Sequence, residues 1–198
     1  MPAAMNALLF ALLVHLASGT TSLLPCGQSE HVINVGSIAR SFQVHRPLSR
    51  CSPSAPPSAI VVCLHGYDQD SSWACSAMCA PYAEVLGFVA VCPQGTAGGA
   101  VLIENTTRTL TFTGWNTAAD SGWDADDVAF VRAALAHVHV RVSVPQNLTF
   151  AVGFSMGGGL VYRLMCEAST LISGFAVASQ SGPFGGLADA GFRGTGHD

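Results

Sequence analysis

Gly153-Phe154-Ser155-Met156-Gly157 sets one serine between two glycines, where an apolar run gives way to a helical pattern. A serine hydroxyl is a weak nucleophile at neutral pH. It becomes an effective one when a base takes its proton and hydrogen-bond donors stabilise the charge its attack creates. The order strand, serine, helix supplies part of that machinery. A serine on so sharp a turn takes a strained backbone conformation and needs residues without bulk two positions away on each side, which Gly153 and Gly157 provide. The helix beginning at Met156 aims free N–H groups and the positive end of its dipole at a developing oxyanion, the Met156 N–H first. A second donor in this arrangement comes from the loop after an earlier strand. "LHGY" (64–67) stands at that place, and the Tyr67 backbone N–H is the expected donor. The competing reading is a Gly-rich helix start in which Ser155 is merely small.

Other elements must hold these residues. "HVINVGSIARSFQVHRP" (31–47) reads as a hairpin broken at Gly36 and Ser37, and "AIVVCLHGY" (59–67) as a strand buried on both faces. "WACSAMCAPYAEVLG" (73–87) is helix-like despite Pro81, and "FVAVCP" (88–93) is a second buried strand. From Gln94 to Gly122 the pattern dissolves into a Gly/Thr-rich segment too long for a passive connection, expected as a functional or a disordered loop. "DADDVAFVRAALAHVHV" (124–140) spaces Val128, Val131, Leu135 and Val138 as an amphipathic helix. Strand "NLTFAVGF", helix "MGGGLVYRLMCEA" and strand "GFAVASQSG" follow. Buried strands alternating with helices predict an α/β fold with a mostly parallel sheet.

The chain has 198 residues, 49% hydrophobic and 10% charged, with a formal net charge of -4. That composition suits one compact domain over 20–198, and without a Lys/Arg cluster it excludes the electrostatic footprint of a nucleic-acid binder. The apolar run from about Ala7, followed by Ala17, Ser18 and Gly19, predicts a signal peptide over 1–19 and a secreted, extracellular protein. The run is too short to span a membrane, so the mature form is expected to have no membrane span. Sequons at Asn105 and Asn147 are expected to carry glycans, and the seven cysteines are expected mainly in disulfides, with at least one unpaired. Cys75 and Cys79 lack the second ligand pair a zinc site needs, so no metal is expected.

Four separated segments carry a resemblance: "CLHGYDQDSSWACSAMCAPYAEVLGFVAVCPQG", "GWNTAADSGWDADDVAFVRAAL", "FAVGFSMGGGLVYRLMC" and "GFAVASQSGP". In this order they resemble the secreted esterases grouped as feruloyl esterase and polyhydroxybutyrate depolymerase-like proteins, over about residues 30–184. The resemblance implies an α/β-hydrolase fold, a Ser-His-Asp triad and hydrolysis of carboxylic esters without a cofactor. The substrates it implies are aromatic or short-chain acyl esters, free or on a polymer. It makes Ser155 the nucleophile and Tyr67 with Met156 the oxyanion hole. Trp115 to Asp127 matches the family's W…DD segment, read here as loop packing and a helix N-cap.

Triad order in this fold is serine, acid, histidine. After Ser155 the side-chain carboxylates are Glu167, Asp189 and Asp198, and the sole histidine is His197. "GFRGTGHD" (191–198) is similar to the family's H-G-T-x-D acid loop but one residue out of register. The chain is therefore expected to be C-terminally truncated relative to the family, with His197 and Asp198 as triad candidates. Three readings follow: a working esterase, an inactive truncated product, and a non-catalytic binding protein that keeps the hydrolase cleft.

Overall fold

The computed structural model describes residues 22–102, 109–118, 122–180 and 182. Strands β1 (Gly27–Val35) and β2 (Ile38–Arg46) form the expected hairpin, with Val35 opposite Ile38 across Gly36 and Ser37. It begins four residues earlier than the β-branched pattern indicated. β3 (Ile60–Leu64) leads into α1 (Ser71–Trp73), a π-helical stretch Ala74–Cys79 and α2 (Ala80–Leu86), after which β4 (Val89–Pro93) returns to the sheet. β5 (Thr96–Leu102) and β6 (Thr109–Gly114) form a separate antiparallel pair. Then come α3 (Asp127–His139), β7 (Thr149–Phe154), α4 (Met156–Glu167) and β8 (Gly174–Ala178).

The main sheet has six strands in the order β1-β2-β4-β3-β7-β8. β1 and β2 are antiparallel to their neighbours, while β4, β3, β7 and β8 run parallel. Alternate residues of a strand face opposite sides, and the buried residues sort accordingly into two clusters. Ile60, Val62, Leu64, Val89 and Val91 join Val131, Leu135, Leu160 and Leu164 of α3 and α4. Cys63, Ala90 and Cys92 join Ala74, Cys75, Cys79 and Ala83 on the other face.

Two disulfides lie in that second cluster. Cys75 and Cys79 stand one turn apart on the π-helical stretch, so both face the sheet, and they bond to Cys92 of β4 and Cys63 of β3. One helical turn is thus stapled to two adjacent parallel strands. Closing loops with sequence separations of 16 and 17 is worth about 3 kcal/mol each by loop-closure entropy. Cys26–Cys51 ties the segment before β1 to the turn after β2, and Cys166 is free and exposed.

The Gly/Thr-rich segment differs from its reading as an irregular loop. Thr96–Leu102 and Thr109–Gly114 pair as strands, with a register shift between Gly98 and Val101. The alternation in "TLTFTG" was masked by the glycines, which accommodate Trp123 against the hairpin: a Cβ on Gly98 would lie 2.7 Å from its ring. α3 starts at Asp127, one turn later than the acidic run, because Asp126 caps it by accepting from the Ala129 N–H. Its predicted core residues Val128, Val131, Leu135 and Val138 are buried.

Candidate active site

Ser155 lies between β7 and α4 with φ 51 and ψ -119, one of three non-glycine residues with positive φ among those described. This region disfavours any residue with a Cβ, so the surrounding packing must impose it. Its N–H donates to the Ala178 carbonyl of β8 at 2.8 Å, and its own carbonyl accepts from the Gly158 N–H at 2.8 Å. The glycines allow this close packing. A Cβ on Gly153 would stand 2.3 Å from the Gly157 carbonyl oxygen, and one on Gly157 would stand 2.3 Å from the Leu64 oxygen and 2.5 Å from the His65 oxygen. α4 therefore begins directly against the end of β3.

The loop after β3 passes beside the serine. A Cβ on Gly66 would lie 3.3 Å from the Ser155 Cβ. Tyr67 follows, its ring tilted over Phe112 at 5.0 Å and edge-on to Trp123 at 6.0 Å. Asp68 takes φ 55, and its N–H donates to the Thr113 carbonyl of β6 at 2.8 Å. Among the described residues, no acceptor within the fold pairs with the Tyr67 or Met156 backbone N–H. Met156 opens α4, where an unpaired N–H is inherent to the helix start.

His65 is fully buried and its bonding defines its tautomer. Nδ1 donates to the Gly66 carbonyl at 2.8 Å, and Nε2 accepts from the Gly95 N–H at 3.0 Å. Its ring tilts against Trp115 with centroids 4.6 Å apart. Burial lowers its pKa, which keeps it neutral and structural. Three other described histidines have polar partners: His45 meets Glu84 at 2.8 Å, His139 meets the Thr149 hydroxyl at 3.1 Å, and His31 meets the Ser29 hydroxyl at 2.9 Å. His137 packs edge-on against Phe42, and its buried Nε2 has no partner among the described residues. Among the described residues no histidine is bonded to Ser155. His197, Asp198, Asp189 and Asn105 lie outside the described residues, as does 1–19. Asn147 is exposed on the turn before β7.

These histidines give stability a pH dependence. Burial lowers the pKa of His31, His65, His137 and His139 below the ordinary 6.5, with Arg141 adding to the effect at His31 and His137. As pH falls below 6.5 the unfolded chain takes up protons that the folded chain refuses, so stability is full above that value and declines below it. Asp127, whose carboxyl burial pushes above the ordinary 3.8, acts in the opposite sense, an effect limited by the Asn116 N–H and Arg40, which favour its ionised form. The urea midpoint is expected to fall from pH 7 to pH 5. A midpoint unchanged over that range would remove the buried neutral histidines from the account.

Sequence reasoning missed what holds the W…DD segment. Asp127 is fully buried, bonded to Arg40 of β2 at 2.7 Å through Oδ1 and to the Asn116 N–H at 2.7 Å through Oδ2. Arg40 also lies over the Phe130 ring, 4.1 Å from its centroid. Arg163 of α4 donates to the Asn116 carbonyl at 2.7 Å, so both sides of that residue's backbone are pinned. Trp115, fully buried, donates from Nε1 to the His65 carbonyl at 2.8 Å. Packing and an N-cap are the roles of this segment, and its only sequence signal was acidic residues at a helix start.

The fold has counterparts in solved structures. An S-formylglutathione hydrolase from Agrobacterium tumefaciens matches over 77% of this chain and 57% of its own, with TM-score 0.57 and 16% identity. An acetyl xylan esterase from Aspergillus awamori matches over 76% of this chain and 53% of its own, with TM-score 0.52 and 12% identity. The chain has the α/β-hydrolase fold. Within that fold, its sequence is feruloyl-esterase-like. It is 33% identical to a probable feruloyl esterase C of Aspergillus clavatus over 84 residues, which are 38% of this chain and 31% of that one. It is 28% identical to a bifunctional acetylxylan esterase/xylanase of Neocallimastix patriciarum over 150 residues, 74% of this chain and 19% of that one. The chain thus spans about a third of the length of the feruloyl esterase and a fifth of the bifunctional protein. No family model matches it. Among the described residues, no helix is long and apolar enough to cross a membrane.

Proposed function

We propose that this α/β-hydrolase is a secreted serine carboxylic-ester hydrolase of the feruloyl esterase and polyhydroxybutyrate depolymerase-like kind, acting through an acyl-enzyme on Ser155. The observation that carries the reading is the Ser155 backbone, held at φ 51 and ψ -119 beside the Tyr67 and Met156 N–H groups, which have no acceptor among the described residues. Strain of this kind concentrates where a side chain must be presented to a reactant.

Ser155 Oγ attacks the ester carbonyl, its proton goes to a base, and the carbonyl oxygen becomes an oxyanion held by the two N–H groups. The C–O bond then breaks, the protonated base returns its proton to the leaving alcohol, and water repeats the cycle to free the acid. His65 is excluded as that base by its two backbone bonds. His197 and Asp198 are the candidates the sequence offers for that base and its acid. The substrates are esters of aromatic or short aliphatic acids, on small alcohols or polymers, and the chemistry of the site calls for no metal or organic cofactor. Residues 1–19 act as the leader of a single domain over 20–198. Three disulfides suit an oxidising, extracellular setting, where Asn105 and Asn147 take glycans.

The test exposes the secreted form, with a Ser155→Ala control, to a fluorophosphonate probe and to feruloyl, acetyl and hydroxybutyrate esters. Labelling and hydrolysis that vanish in the control are expected. A folded sample that neither labels nor cleaves any of the three esters supports instead a non-catalytic protein that retains the cleft.

A further inference from the structure

The end of β6 touches both halves of the proposed oxyanion hole. Thr113 accepts from the Asp68 N–H at 2.8 Å, and Trp115 Nε1 donates to the His65 carbonyl at 2.8 Å, so two bonds bracket the Tyr67 peptide. The same His65 oxygen faces α4, lying 2.5 Å from where a Gly157 Cβ would stand. Gly114, between the two bonding residues, packs against Met156: a Cβ there would lie 2.8 Å from the Met156 sulfur. The His65 carbonyl is therefore held between the indole of Trp115 and the first turn of α4. It lies one peptide before the Tyr67 N–H, whose own peptide is held at the Gly66 carbonyl by His65 Nδ1 and the Gln69 N–H.

Trp115 is itself held from behind. The backbone of the next residue, Asn116, is bonded on one side to Asp127 and on the other to Arg163, and Asp127 is anchored to Arg40 of β2. The Trp115 side chain is fully buried and tilted against the His65 ring, whose Nε2 accepts from the N–H of Gly95, between β4 and β5. Apart from the partly exposed Arg163, the contacts along this path join backbone or buried side chains, so little of it can relax independently.

We propose that Trp115 is a positioning residue for ester hydrolysis, its indole N–H setting the separation of the two oxyanion donors by fixing the His65 carbonyl. The inference rests on the esterase reading above. Trp115 touches neither the substrate nor the reacting atoms. It acts through the peptide it holds, and an oxyanion hole is effective only when its donors are in place before charge develops.

Two variants separate this role from simple packing. Trp115→Phe removes the N–H and part of the ring, while site-specific introduction of benzothienylalanine at position 115 replaces the N–H by sulfur and keeps the ring's volume. Both are expected to lower kcat by roughly tenfold to a hundredfold with KM changed by less than about twofold, since a donor misplaced by a fraction of an ångström costs the transition state rather than the ground state. Affinity for a trifluoromethyl ketone, which forms a tetrahedral adduct on serine, is expected to fall in proportion to kcat. Crystal structures of wild type and the benzothienylalanine variant are expected to differ in the separation of the Tyr67 and Met156 backbone nitrogens.

Wild-type kcat in the benzothienylalanine variant overturns the proposal, because packing alone would then suffice. An unchanged nitrogen separation overturns it as well, whether or not the wild-type chain cleaves esters. A wild type that cleaves no ester overturns the esterase reading, and the nitrogen separation then still decides the geometric claim.

Discussion

Ser155→Gly is expected to abolish hydrolysis and probe labelling while making the protein more stable. Ser155 sits at φ 51, a region where a Cβ is crowded by the backbone, and such conformations cost about 1–3 kcal/mol. Glycine relieves that strain but adds freedom to the unfolded chain, worth about 0.5–1 kcal/mol against folding. Strain relief wins, for a net gain of about 1 kcal/mol, or roughly 2–4 °C in Tm for a chain of this size. Ser155→Ala retains the Cβ and the strain, so its stability is expected within about 0.5 kcal/mol of wild type although it too is inactive. The contrast between the two inactive variants carries the information. A Ser155→Gly variant less stable than Ser155→Ala would mean that the elbow is not strained and that its geometry serves packing.

The second large effect is expected at Gly157. An alanine Cβ there would stand 2.3 Å from the Leu64 oxygen and 2.5 Å from the His65 oxygen. Both are backbone atoms, one at the end of β3 and one in the loop carrying the proposed oxyanion donor, so no side chain can swing away to make room. Alanine's better helix propensity returns about 1 kcal/mol. Separating α4 from β3 costs more, and a net loss of about 3 kcal/mol is expected. Residual activity should fall further than stability explains, because the displaced helix start carries the Met156 N–H. Denaturant unfolding and ester hydrolysis would be measured beside Gly182→Ala, where a Cβ meets nothing within 4 Å. Equal stability of the two variants would show that the close approach of α4 to β3 is not required.

Both effects come from one short segment, and its character was readable before the fold was known. A serine flanked at two residues by glycines, at a change from strand to helix periodicity, admits few backbone solutions. Gly153 and Gly157 have the roles their lack of bulk suggested, one against the Gly157 carbonyl and the other against β3. The buried strands were legible for a similar reason. β3 and β4 are covered on both faces, so their sequences are apolar at nearly every position. The β5–β6 pair was obscured because its glycines make room for Trp123, a contact that no local pattern announces.

Local sequence determined the kinds of element present, their order, the amphipathic face of α3 and the elbow at Ser155. Each of these depends on residues within one or two turns of one another, where steric rules and periodicity act directly on neighbours. Tertiary structure alone decided the sheet order, the pairing of Cys75 with Cys92 and Cys63 with Cys79, and the neutral tautomer of His65. It also decided which acid of the W…DD segment is buried. Asp126 stays at the helix end as a cap, while Asp127 finds Arg40 across 87 residues of chain. Trp115 likewise reaches the His65 carbonyl across 50 residues. A buried polar group must find a partner wherever the packing brings one, and chain distance does not enter that requirement. The turn at Ser155 was therefore legible in the local sequence, whereas the packing that imposes its positive φ and the bonds that hold the loop after β3 exist only once the strands have assembled.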